Sequence, residues 1–139
     1  MKKTTKLRMA ELTSQIVGNP YKLGKWDCLS VVLFFCDNWG ISIPENFEGY
    51  TKENYIQLFI DNPKRAKEIF FRFIASLGKE VDPKRTMPGD FLIIEVNGET
   101  GVCINVGSGN ILSALLEKGI DVVSMKTYTV LKAYRWRKD

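Results

Sequence analysis

The sequence predicts an α+β domain, with helices in its N-terminal half packed on an antiparallel sheet from its C-terminal half. Three observations carry this. Apolar residues recur at helical spacing up to about residue 78, the spacing changes to short apolar runs after about residue 87, and strong turn signals separate those runs. The chain has 139 residues, 45% of them hydrophobic and 12% aromatic, which fits one domain with a real core. No repeat, low-complexity tract or linker interrupts it, so a single domain over 1–139 is expected, its helical half about 4–78 and its sheet half about 87–137.

Leu7, Met9, Leu12 and Ile16 give the first helix, which Gly18-Asn19-Pro20 stops. A second helix begins near Asp27-Cys28 and runs to Gly40. Leu29, Val32, Leu33, Phe35 and Cys36 cover most of its circumference, which marks it as buried and central. Its Asp37-Asn38-Trp39-Gly40 end reads as an aromatic tucked inward with glycine at the C′ position. Thr51 is placed to cap a third helix through Tyr55, Leu58 and Phe59. Asn62-Pro63 supplies the N-cap and first position of a fourth, which ends at Leu77-Gly78.

Phe91–Val96 then reads as a strand, followed by Asn97-Gly98, a hairpin turn, and a return strand over Val102–Val106. Further strands are expected over Ile111–Leu115, Ile120–Met125 and Leu131–Arg137. In the last, alternation places Tyr134 and Trp136 inward and Arg135 and Arg137 outward. The same Tyr134-Arg135-Trp136-Arg137-Lys138 stretch also fits a single-stranded nucleic-acid site, where bases stack on rings and phosphates meet cations, but the strand pattern explains it more simply.

Composition narrows the chemistry. The chain contains no histidine, so it has neither a Cys–His or Ser–His catalytic pair nor a histidine-ligated metal. Cys28, Cys36 and Cys103 are odd in number and lack C-x-x-C spacing, which speaks against a disulfide scaffold and a zinc site; no metal or cofactor is expected. Cys36 and Cys103, on a buried helix and a central strand, read as core fillers. No apolar run reaches membrane-spanning length and the basic start leads into an amphipathic stretch, so a soluble protein made in a cytoplasm is expected.

The net charge is +4 and unevenly spread. Residues 1–25 carry Lys2, Lys3, Lys6, Arg8, Lys22 and Lys25 against Glu11 alone. The stretch Asp27–Asp61 holds six acids and only Lys52, and the end is basic again. Segregation of this kind fits either a charged protein interface or simply solvated ends.

Three patterns in order resemble the NlpC-type family of papain-like cysteine peptidases, which cut peptide bonds in bacterial cell walls. They are Asn19-Pro20-Tyr21-Lys22-Leu23-Gly24-Lys25-Trp26-Asp27-Cys28-Leu29-Ser30, then Met87-Pro88-Gly89-Asp90-Phe91-Leu92, then Gly101-Val102-Cys103-Ile104-Asn105-Val106-Gly107-Ser108-Gly109-Asn110-Ile111-Leu112-Ser113-Ala114. The resemblance implies a papain-like fold over about residues 12 to 136, with Cys28 at the nucleophile position. A thiol there gains from unpaired backbone N–H groups at a helix N-terminus. The family's base position falls on Gly101 and its orienting position on Ser113. Glycine has no side chain to take a proton, and a general acid–base step contributes typically about 10²–10⁴-fold.

The chain is also similar to a histidine-lacking NlpC-like branch encoded in phage tail regions, through Trp26-Asp27-Cys28, Asp37-Asn38-Trp39-Gly40, Gly101-Val102-Cys103 and Ala133-Tyr134-Arg135-Trp136. That similarity implies a catalytically inactive virion or tail-assembly protein, located in the phage particle and made in the host cytoplasm. Its partners would be other virion or tail proteins, with peptidoglycan contact a further one. Tyr21, Trp26 and Asp27 are the expected binding residues around Cys28, although Tyr21 and Trp26 fit equally well as staples of the loop onto the helix. The competing functions are a weak cell-wall peptidase or amidase working through Cys28 and a nucleic-acid-binding protein using the basic termini.

Overall fold

A computed structural model describes residues 4–115 and 119–136. Four α-helices precede the main run of strands: α1 (Thr5–Ile16), α2 (Cys28–Asn38), α3 (Tyr55–Asp61) and α4 (Pro63–Ser76). Six strands follow: β1 (Lys79–Val81), β2 (Phe91–Val96), β3 (Glu99–Gly107), β4 (Asn110–Leu115), β5 (Gly119–Ser124) and β6 (Thr129–Arg135). They form one antiparallel sheet in the order β1-β6-β2-β3-β4-β5.

Local chemistry accounts for the helix boundaries. The Thr4 hydroxyl accepts from the Leu7 amide at 3.1 Å to start α1. Met9, Leu12 and Ile16 are buried, whereas Leu7 is 49% exposed and lies off that face. The α2 helix closes on Gly40 (φ +74°), with the Ile41 amide bonded to the Cys36 carbonyl and the Gly40 amide to that of Asp37, a Schellman ending. Asn62 caps α4, accepting from Arg65, and Pro63 takes the first position. Thr51 sits one turn ahead of α3 rather than capping it directly. Thr51 and Asn54 bond each other's amides reciprocally at 2.8 and 3.2 Å, and the helix starts at Tyr55.

The hairpin turn has positive φ at both Asn97 (52°) and Gly98 (80°), the combination that matches strand twist. Strand β1 carries no sequence signal: Lys79, Glu80 and Val81 are mostly exposed and pair with Arg135, Tyr134 and Ala133 at the end of β6. The sheet therefore begins at Lys79 and not near residue 87.

Alternation divides the strands between two cores. Phe91, Ile93, Val102, Ile104, Leu112, Ala114 and Tyr134 join Met9, Val32, Phe35 and Ile74 of the helices in the main one. Leu92, Ile94, Cys103, Ile111 and Ala133 form a smaller core on the other face, covered by Val81, Val123, Met125, Tyr128 and Val130 as the sheet curls. Burial of α2 against β3 and β4 is what fixes its N-terminus relative to the sheet.

The closing segment departs from simple alternation. Tyr134 is buried and Trp136 packs edge-on against Trp39 at 5.2 Å, as an inward pair should. Arg135 does not project into solvent: its guanidinium grips the fully buried Asp90 with two bonds of 3.0 Å. The rings of Tyr134 and Trp136 thus pack on the main core, as the strand pattern expected. Arg137 and Lys138, like Lys2 and Lys3, lie outside the described residues.

Candidate active site around Cys28

The loop before α2 is tied down by Asp27. Its carboxylate accepts from the Ser30 amide at 2.8 Å as the helix N-cap, from the Gly24 amide at 2.7 Å and from the Tyr55 hydroxyl at 3.1 Å. Three donors saturate much of its capacity, and the residue is 4% exposed. Asp27 therefore positions the loop and α3 around Cys28. It is not a free ligand.

Cys28 is the first residue of α2 and half-buried. Its Sγ lies 3.9 Å from the Ala114 carbonyl oxygen of β4, within reach of a thiol donor. The position follows from a fork in the sheet. The β3–β4 ladder ends at Ile104↔Leu112; below it β3 continues on β2 and β4 continues on β5. Cys28 stands at this fork, facing backbone groups of both Val102 and Ala114.

Burial pushes the Cys28 thiol above its ordinary range, and the Asp27 carboxylate adds to the rise. Backbone hydrogen bonding at Val102 and Ala114, then the charge of Lys67, act the other way without reversing it. The helix N-terminus thus does not produce a thiolate here. Tyr21 is shifted up as well, by burial first and then by Cys28 and Asp27, so its phenol is a neutral neighbour of the sulfur. Tyr55 is pushed up to about 12, mainly by burial.

A cleft of about 780 Å³ opens beside the thiol. Tyr21, Asp27, Cys28 and Gly101 all line it, together with Thr100 and Val102. Gly101 of β3 pairs with Ile94 of β2, adopts no left-handed conformation, and a Cβ built on it meets nothing within 4 Å. A side chain would fit there; the sequence supplies none. Ser113, on β4 opposite Asp121 of β5, is 5% exposed and shares the sheet face of Ile111. Gly101 and Ser113 therefore occupy the two arms of the fork at whose base the thiol sits.

Trp26 and Ser113 are the exceptions among the expected site residues, since neither lines the cleft. The backbone of Trp26 bridges Lys22 and its ring packs on the main core, so it staples the loop. Sequence reasoning in turn missed Lys67 of α4, which lines the cleft and acts electrostatically on Cys28. It also missed the aromatic wall from Phe47, Phe70 and Phe73. Helical spacing alone could place Lys67, Phe70 and Phe73 on faces of α4 but not beside a thiol about forty positions away, and Phe47 lies on a loop with no such spacing. Among the described residues no cluster of His, Cys, Asp or Glu is placed to hold a metal ion.

Among solved structures, the chain is similar to the NlpC/p60 domain of the peptidoglycan hydrolase SagA, at a TM-score of 0.60 and 17% sequence identity, over 94% of this chain and 97% of that one. At that identity the likeness establishes a shared NlpC-like fold. No curated protein matches the sequence. A family model described as "Domain of unknown function (DUF6950)" matches residues 1–136, nearly the whole length. The chain belongs to that family, and it carries the family's sequence on an NlpC/p60-like α+β scaffold.

Proposed function

We propose that this domain keeps a papain-like cleft for binding and not for hydrolysis, and that it serves as a structural or assembly protein of a phage tail or virion. One observation supports the first half above all. The Cys28 thiol is held neutral at its fork, with glycine on one arm, serine on the other and no imidazole in the chain. Without a group to take the thiol proton, attack on an amide carbonyl lacks its nucleophile, and the leaving amine lacks its acid. The Asp27 carboxylate is committed to three donors, and its charge makes thiolate formation harder.

The second half is supported by the histidine-lacking motif set around Trp26-Asp27-Cys28 and Gly101-Val102-Cys103 and by the segregated charge, which suits docking against oppositely charged partners. Other virion or tail proteins are the proposed partners, with peptidoglycan as a surface met in passing. The test has two parts. Peptidoglycan fragments incubated with the protein should show no release above that of Cys28→Ala, and purified particles should contain the chain at fixed stoichiometry. Hydrolysis that disappears in Cys28→Ala, or particles lacking the chain, would overturn the corresponding half.

A further inference from the structure

The cleft beside Cys28 is lined in a way that selects its guest. Its volume of about 780 Å³ lies in the range that encloses a small organic ligand. The deep wall is hydrocarbon, from Leu33 of α2, Phe47 of the loop, and Ile69, Phe70 and Phe73 of α4. Ile69 and Phe73 are 1% and 6% exposed, so this wall belongs to the folded interior and not to loose surface. Left dry, such a hollow forfeits dispersion contacts; filled with water, it offers few polar partners.

Polar groups are placed unevenly around it. Glu45, Lys52 and Glu53 stand on the exposed rim, whereas Lys67 is half-buried and near enough to Cys28 for its charge to act on the sulfur. Its ion-pair partner Glu99 is 3.6 Å away and 82% exposed, a contact that solvent screens and that an incoming anion can replace. At the mouth, α3 buries none of its residues and leaves Phe59 and Ile60 39% and 60% exposed, with Phe59 also lining the cleft. An apolar interior, the half-buried Lys67 cation and the exposed Phe59 and Ile60 at the mouth match a hydrocarbon chain that ends in a carboxylate; Asp27, the other charge close to Cys28, already accepts from three donors.

We propose that the cleft binds a single-chain fatty acid, its tail against Leu33, Ile69, Phe70 and Phe73 and its carboxylate on Lys67 beside Cys28. This rests on the cleft being a non-hydrolytic binding site. The binding is noncovalent, because the thiol is neutral and no acyl donor is required.

The test is a titration of the intact protein with cis-parinaric acid, whose fluorescence rises on entering an apolar site, followed by displacement with hexadecanoate or hexadecanol. Saturable one-to-one binding, displaced by hexadecanoate, is expected. Lys67→Gln should weaken hexadecanoate by roughly tenfold or more, the loss of one charge-assisted contact, and leave hexadecanol nearly unchanged. Leu29→Trp, which fills the cleft next to Cys28, should weaken both; Lys67→Gln, at a half-exposed site, keeps the test decisive if that variant folds poorly. Absence of saturable binding to the folded protein, or equal affinity of Lys67→Gln and the parent for hexadecanoate, overturns the inference. Either result leaves the non-hydrolytic reading intact, and Cys28-dependent hydrolysis would sink that reading without touching the binding curve.

Discussion

The Cys28 sulfur lies 3.9 Å from the Ala114 carbonyl oxygen, eighty-six positions along the chain, at the place where β3 and β4 stop pairing. Strand separation leaves backbone polar groups that need partners. The Cys28 thiol meets such groups at Val102 and Ala114, so a position suited to a nucleophile is also a structural plug. This dual placement gives Cys28 a structural role that does not depend on catalysis.

Cys28 should alkylate slowly in the native protein at pH 7 and faster as pH rises above its ordinary thiol range, because burial and Asp27 hold it protonated. Cys36 and Cys103, both buried, should react only after unfolding. Timed iodoacetamide labelling with mass mapping distinguishes the three. Rapid labelling of Cys28 at neutral pH would contradict the neutral-thiol assignment.

Asp27→Asn should act in opposite directions on stability and reactivity. It weakens the cap on Ser30 and the bonds from Gly24 and Tyr55, at about 2 kcal/mol for a disrupted cap and buried network. It also removes the charge that raises the Cys28 thiol, so labelling at pH 8 should quicken. Urea unfolding and labelling rates on one preparation check both signs.

Gly101→His tests the fork directly. The position has ordinary backbone and open space for a Cβ, so the melting temperature should stay within a few degrees of the parent. An imidazolium near the sulfur favours thiolate, and Cys28 labelling at pH 6–7 should rise by about tenfold or more. An unchanged rate in a folded variant would show that residue 101 does not face the thiol.

Arg135→Ala should be among the most damaging single changes. It strips the guanidinium from Asp90, which is wholly buried and also accepts from the Met87 amide and the Thr86 hydroxyl. Leaving a buried charge uncompensated costs about 3–5 kcal/mol. Chemical denaturation should show a fall in unfolding free energy of that size or outright failure to fold. A shift no larger than that of an exposed lysine variant would refute the anchoring role.

Stability should fall at alkaline pH. Cys36 is pushed up to about 12 from 9.0, Tyr55 up to about 12 from 10.0, and Cys28 is raised as well. Each group stays protonated in the folded protein after it has ionised in the unfolded chain. Their contribution is therefore whole below pH 9 and is lost as pH climbs toward 12, at about 1.4 kcal/mol per pH unit for each group in its window. Urea midpoints at pH 7, 9 and 10.5 should fall in that order; a flat profile would exclude these groups as the cause.

Local chemistry made much of the fold legible. The Asn62-Pro63 start, the Gly40 ending and the Asn97-Gly98 turn are fixed by residues within a few positions of one another, so sequence alone located them. The α+β order and the buried character of α2 followed from apolar spacing. Strand β1 was invisible because its three residues gain their conformation only by pairing with β6, some fifty positions later.

The site divides along the same line. Sequence by itself determined that Cys28 opens a helix, that Asp27 precedes it and that the 139 residues contain no histidine. Only tertiary structure decided that the thiol is neutral, that Trp26 staples the loop while Lys67 enters the cleft, and that Arg135 turns inward to Asp90. The physical reason is range. Caps and turns are settled by bonds between near neighbours, whereas desolvation, cavity shape and charge pairing depend on which distant segments share a small volume, and that is set when α2 and α4 pack around the forked sheet.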